Sequence, residues 1–212
     1  MLAVTGLQLG SRSAFAVFVI GVMYVIVLAI QFVMHGVSAP ITDPILAVME
    51  VLTLVSASCL LVLMATVHEY AAPGRKIYSM IAFAFMALMV GVTSVVHFVE
   101  LSAIRQLGVA EISWPSPIYG AELLAWNLFL GLSLLFASRA FDGDGSARLL
   151  RRGMTFTGGL CVVGIVGPLA GIMRLQLIGV FGYAILLPMV SLKLSRFFGD
   201  ASNLNSLQPT EN

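Results

Sequence analysis

The stretch TSVVHFVE, residues 93–100, ends an apolar run with an imidazole and a carboxylate. Thr93, His97 and Glu100 are spaced four and three apart, so on a helix they fall within about 60° of one another on one face. A hydroxyl, an imidazole and a carboxylate on one face can bind a cation, relay a proton or hold a polar solute. Glu50 is a second candidate, set inside the apolar run MEVLTLVSASCLLVLMATV. A charged carboxylate near the centre of a lipid-buried helix costs roughly 2.5–3.5 kcal/mol. Such residues face a bundle interior or a wet cavity and mark functional sites. Glu122, with Trp126 one helical turn further along, lies near another helix end, and Arg174 is an available counter-charge. The candidate ligand-binding set is therefore Glu50, Thr93, His97, Glu100, Glu122, Trp126 and Arg174. For a metal ion, His35, Glu50, His97 and Glu122 could supply nitrogen and oxygen donors. No spacing among them specifies a metal, and the sequence names no cofactor.

The elements that must position these residues follow from composition. Of 212 residues, 59% are hydrophobic and only 10% charged, with a mean hydropathy of +1.02. Soluble domains carry about 25% charged residues, so most of this surface must meet lipid. A membrane span needs about 20 mostly apolar residues. Six stretches qualify, at about 14–34, 45–67, 77–99, 120–137, 154–173 and 177–197. The expected fold class is all-α, a polytopic bundle of six transmembrane helices with short loops. One membrane domain would cover 1–198, followed by a disordered tail over 199–212. The last two spans should form a tight hairpin through the turn RLQ, residues 174–176. The first apolar run is followed by VSA at 37–39, small residues suited to signal cleavage. The run is about 20 residues, longer than the 7–15 of a signal-peptide core, and Pro40 follows at once, so it reads as a retained span. No internal repeat is visible.

Six spans put both termini on one side. On that side fall Arg12, Arg75, Lys76, Arg139, Arg148, Arg151, Arg152, Lys193 and Arg196, nine of the eleven basic residues. Only Arg105 and Arg174 fall on the other. The positive-inside bias then places both termini in the cytoplasm of a cell (inner) membrane. His35, Asp43, His97, Glu100, Glu111 and Glu122 go to the outer side, and Glu50 lies roughly 9 Å below the outer interface.

Other features read as structural. Cys59 and Cys161 each sit within an apolar run and suit small buried hydrophobes. HEY at 68–70 begins like a zinc-protease HExxH, but Ala72 stands where the second histidine belongs. Gly167 and Gly171 have the spacing of a smooth helix-packing face that could also join two copies, with Gly179 and Gly182 opposite. Pro168 and Pro188 should kink their helices. The loop at 101–119 could lay Leu101, Ile104 and Leu107 on the membrane as a short helix, anchored by Trp114 and Tyr119.

The net charge of +1 argues against nucleic acid, which needs clustered Lys and Arg. Lys193 is too near the cytoplasmic end for a retinal Schiff base. No HxxxH pair is present for an intramembrane metal hydrolase, and three histidines cannot ligate two haems. The expected partners are the lipid bilayer and a small-molecule or ion ligand from the outer side. The foremost reading is a small transporter, channel-like or ligand-binding membrane protein with a polar site in the outer half. A structural or regulatory subunit without a ligand is the first alternative, and a membrane-embedded metal-dependent hydrolase the second. Without a catalytic motif, the balance leans away from an enzyme.

Overall fold

The computed structural model describes residues 4–36, 39, 41–107 and 114–207. It contains six helices long and apolar enough to cross a membrane: α1 (Val4–His35), α2 (Ile45–Tyr70), α3 (Pro73–Ile104), α4 (Pro117–Ala140), α5 (Ser146–Leu169) and α6 (Met173–Ser206). No strand occurs among the described residues. The protein is thus an all-α, six-helix membrane bundle. Each helix packs on the next in sequence, and α6 closes the ring on α1. Pro40, Glu111 and residues 208–212 lie outside the described residues.

The helices outrun the apolar windows because their ends are held by packing as well as by lipid. In α1, Leu7, Gly10, Ala14 and Val17 are buried at helical spacing and extend the packed stripe ahead of residue 14. α4 begins at Pro117, a residue suited to the first helical position. Ser116 caps it, its side chain accepting from the Tyr119 amide at 3.2 Å. Three sequence expectations are corrected. The turn between α5 and α6 falls at 170–172, where Gly171 takes φ +69°, so Arg174 and Gln176 lie within α6. The helical backbone of α6 continues to Leu207, and Ser202 is buried, so 199–207 is not a disordered segment. Finally, 101–104 continues α3 instead of forming a separate surface helix. No glycine or proline interrupts the chain there, and Leu101 and Ile104 extend its apolar content.

The two ends of the bundle differ. Near the termini, Tyr70 from α2, Phe141 after α4, and Phe197 and Phe198 from α6 form an aromatic cluster with centroids 5.3–6.4 Å apart. Phe141 and Phe198 are fully buried. Arg75 ties the start of α3 to the end of α4 there, donating to the Arg139 carbonyl at 2.9 Å and pairing with Asp142 at 2.8 Å. Below this seal, Leu60, Leu63, Met64, Met86, Leu130 and Leu134 make a dense apolar middle. Phe15, Ile26, Val95, Phe98, Phe156 and Leu169 face outward and form a lipid-facing belt.

Small residues set how closely α4, α5 and α6 approach. A Cβ on Gly164 would lie 2.6 Å from the Gly179 Cα and 2.5 Å from the Asn127 side-chain oxygen. Gly167 is buried against the backbone of Gln176, where an added Cβ would lie 2.5 Å from its nitrogen. Gly167 is therefore engaged in packing within the chain, while Gly171 serves the turn. Pro168 acts as expected: lacking an N–H, it leaves the α5 ladder broken at Ile165.

Gly164→Ala should cost about 1–3 kcal/mol through overpacking against backbone that cannot yield. At roughly 2–4 °C per kcal/mol for a chain of this size, the purified protein should melt several degrees lower. Gly91→Ala, whose added Cβ meets nothing within 4 Å, should leave the melting temperature within about 2 °C.

Candidate functional site

The opposite end of the bundle encloses a cavity of about 740 Å³, walled by α1, α2, α3, α4 and α6 and by the loops between them. This falls within the roughly 300–1,000 Å³ of small-molecule sites. Val17, Ser56 and Leu187 reach its deeper part, and Asp43, Arg105 and Trp114 lie at its loop end. Four carboxylates line it, Asp43, Glu50, Glu100 and Glu122, against one guanidinium, Arg105, and one imidazole, His97.

Glu50 comes from the second turn of α2 and is almost fully buried, with 3% of its side chain exposed. Its partner is Arg105, whose Nη2 donates to Glu50 Oε2 at 3.0 Å. The same guanidinium makes a two-pronged pair with Asp43, Nε to Oδ2 at 2.7 Å and Nη2 to Oδ1 at 2.8 Å. This fork geometry is the one arginine is built for. The pairing with Asp43 holds the Arg105 guanidinium firmly in its charged form, and the same contact holds the Asp43 carboxyl below its usual range. Asp43 also accepts from the Ala47 amide at 3.2 Å, capping the start of α2.

His97, also buried, stands between two more carboxylates. Its Nδ1 lies 3.1 Å from Glu100 Oε2, and its Nε2 lies 3.3 Å from Glu122 Oε1. The second contact is at ion-pair distance but poorly aligned as a hydrogen bond. Only a ring carrying both protons serves two carboxylates as a donor. One donor atom each from Glu50, His97 and Glu100 lies within 4.8 Å of the others.

The remaining wall is aromatic. Tyr24, Trp114, Tyr119, Trp126 and Tyr183 line the cavity. Trp126 and Tyr183 are in contact, centroids 5.6 Å apart, and Gln176 holds the Tyr183 hydroxyl at 3.0 Å. The Trp126 indole N–H is buried and has no hydrogen-bond acceptor among the described residues.

Local backbone geometry brings these groups inward. Wide, π-helical turns occur at Glu100–Ile104 in α3, Leu124–Phe129 in α4 and Phe181–Leu186 in α6. Each contributes cavity-lining residues: Glu100 and Ile104, Trp126, and Tyr183 with Ala184. Such turns insert a residue into the helical ladder, re-aim the following side chains and concentrate at functional sites. In α6 the turn directly precedes Pro188, whose missing N–H interrupts the ladder there. On α3, the turn carries the helix on so that Arg105 reaches across to α2.

Of the residues expected from sequence, the structure gathers Glu50, His97, Glu100, Glu122 and Trp126 around this one cavity. Thr93 is buried but not on the wall; its hydroxyl faces the Met89 sulfur at 3.5 Å. Arg174 is exposed near the start of α6 and makes no contact with the cluster, and His35 is likewise exposed at the end of α1. The counter-charge is Arg105. The one hint in the sequence is that residues 101–104 contain no Gly or Pro to stop α3 short of it. Trp114 and Tyr119, expected as interface anchors, line the cavity instead.

The Arg105–Glu50 contact should show coupling. Arg105→Gln leaves Glu50 buried without a counter-charge, so the single variant should be destabilised, while adding Glu50→Gln should recover part of the loss. Thermal unfolding across the double-mutant cycle should give an interaction of about 0.5–3 kcal/mol. The depressed Asp43 carboxyl contributes stability above the ordinary aspartate range, and that contribution fades as pH falls through its lowered value. Arg105→Gln should therefore move the Asp43 carboxylate band in infrared titration back toward the ordinary range.

No protein-family model matches this chain, and no curated protein or solved structure was found to match it, so the site is read from its own residues.

Proposed function

We propose that this membrane protein binds a small organic cation, an amine or quaternary ammonium solute, and admits it from the side opposite its termini. The observation that carries this reading is the lining of the cavity: four carboxylates against one guanidinium, with five aromatic side chains around them. Carboxylates supply the counter-charge. Tyrosine and tryptophan faces attract a cation by about 0.5–1 kcal/mol at exposed sites and about 2 kcal/mol when desolvated, and aromatic cages are the usual receptors for ammonium groups. A bare ion needs far less than about 740 Å³.

The charge distribution supports an outward-facing site in a cell membrane, because nine of the eleven basic residues lie at the termini end. The dense apolar middle and the aromatic seal close the path on that side. In a carrier cycle this is the conformation that receives solute.

A second reading, divalent metal binding with or without hydrolytic chemistry, rests on the convergence of Glu50, His97 and Glu100. The groups are of the right types for a first-row metal.

Both tryptophans of the chain, Trp114 and Trp126, line the cavity, so intrinsic fluorescence reports its occupancy. Choline titrated into purified protein should change that fluorescence saturably. Glu122→Gln and Trp126→Leu should each weaken the response about tenfold in proteins that remain monodisperse. A flat response to choline, together with stoichiometric zinc binding that His97→Ala abolishes, would instead establish the metal reading.

A further inference from the structure

A second recess lies on the lipid-facing side of the bundle, between the end of α4 and the middle of α5. It has a volume of about 610 Å³ and is lined by Arg139, Arg151 and Arg152 at one end and by Phe156, Gly159 and Val163 further along. It is remote from the acidic cavity in both position and charge.

The three arginines differ from their neighbours. Arg75 is paired with Asp142, and Arg148 with Asp144. Arg139, Arg151 and Arg152 have no carboxylate partner among the described residues, and no acidic side chain lines the recess. Arg139 and Arg152 are exposed and Arg151 is half-buried. The guanidinium of Arg139 comes from the last turn of α4, whose carbonyl is fixed by Arg75, so its backbone is held in place.

Below the arginines the recess turns apolar along a single stripe of α5. Arg152, Phe156, Gly159 and Val163 are spaced four, three and four apart and so share one face. They span roughly 16 Å of helix. Phe156 and Val163 are exposed, and Gly159 leaves a gap: a Cβ there would meet nothing within 4 Å. A cationic head over an apolar channel, on a surface that must face lipid, matches one molecule end to end. A basic recess between transmembrane helices at the basic end of a protein has the chemistry of an anionic-lipid headgroup site.

We infer that this recess holds one anionic phospholipid, its phosphate on Arg139, Arg151 and Arg152 and an acyl chain along Phe156, Gly159 and Val163. Guanidinium pairs bind phosphate through parallel N–H donors, and the apolar stripe gives an acyl chain a surface that a free phosphate ion would leave unused.

The test is native mass spectrometry of the full chain released from detergent with equal amounts of phosphatidylglycerol and phosphatidylcholine. Wild type should retain phosphatidylglycerol preferentially. Each of Arg139→Gln, Arg151→Gln and Arg152→Gln should reduce that preference about fivefold. Arg148→Gln, which removes an arginine already paired with Asp144, should leave it unchanged. Gly159→Leu keeps every charge but fills the channel, and should lower retention of both lipids. This variant guards against misfolding of the arginine variants. Equal retention of the two lipids by wild type would overturn the inference. So would an undiminished preference in the triple arginine variant, or displacement of the lipid by millimolar inorganic phosphate.

Discussion

The contact between Glu50 and Arg105 governs the arrangement of the cavity end. A carboxylate set in the second turn of an apolar helix must be neutralised or paired, because its desolvation in the bundle is uncompensated otherwise. Arg105 supplies the charge, and it does so from the far end of another helix. To bring it there, α3 runs past the depth at which an apolar helix would stop, through the wide turn at Glu100–Ile104. The same guanidinium grips Asp43 at the head of α2. One side chain thereby ties the two helices and the loop before α2 together, while the carboxylates on α3 and α4 remain beside the cavity with His97 between them.

The bundle is built in two unlike halves. At the termini end, aromatic stacking and close packing close the centre of the bundle. At the other end, the wide turns in α3, α4 and α6 break the regular ladder and turn polar and aromatic side chains onto a common space. Glycine contacts at Gly164, Gly167 and Gly179 hold α5 tightly to its neighbours, and α5 contributes nothing to the cavity wall. Its outer face is instead free to meet lipid. Rigid packing on one side of the ring and irregular helices on the other are complementary solutions to a single requirement. Backbone irregularity within a membrane is tolerated only where it is enclosed by protein or lines a cavity.

The six helices and their order were legible in the sequence because each is an apolar run of the right length, punctuated by Pro, Gly or charge. That Glu50, His97, Glu100 and Glu122 fall at one end was legible too; that they meet around one space was not, because polar residues near a helix end can equally face headgroups. Helix lengths were less legible, because hydropathy marks the lipid-immersed part and not the packed turns beyond it, as at Leu7 and Ser202. The choice of Arg174 over Arg105 failed for a related reason. Counting charges identified two cations at the cavity end but could not show that α3 continues as a helix past Glu100. The wide turns were invisible, because an inserted residue has no compositional signature apart from Pro188. Thr93 illustrates the opposite error: it shares the face of His97 by spacing, yet it lies one turn too deep and is covered by packing.

The central claim is that the cavity is entered from the side opposite the termini and prefers positive charge. Ser56 lines its deeper part and is largely buried. Ser56→Cys in a Cys59→Ala background can be labelled with small thiosulfonate reagents in sealed vesicles of known orientation. The trimethylammonium reagent should react about tenfold or more faster than the sulfonate of similar size, given the focusing of charge in a low-dielectric cleft. It should do so only from the face opposite the termini. Equal rates for the two reagents, or labelling only from the termini face, would contradict the account.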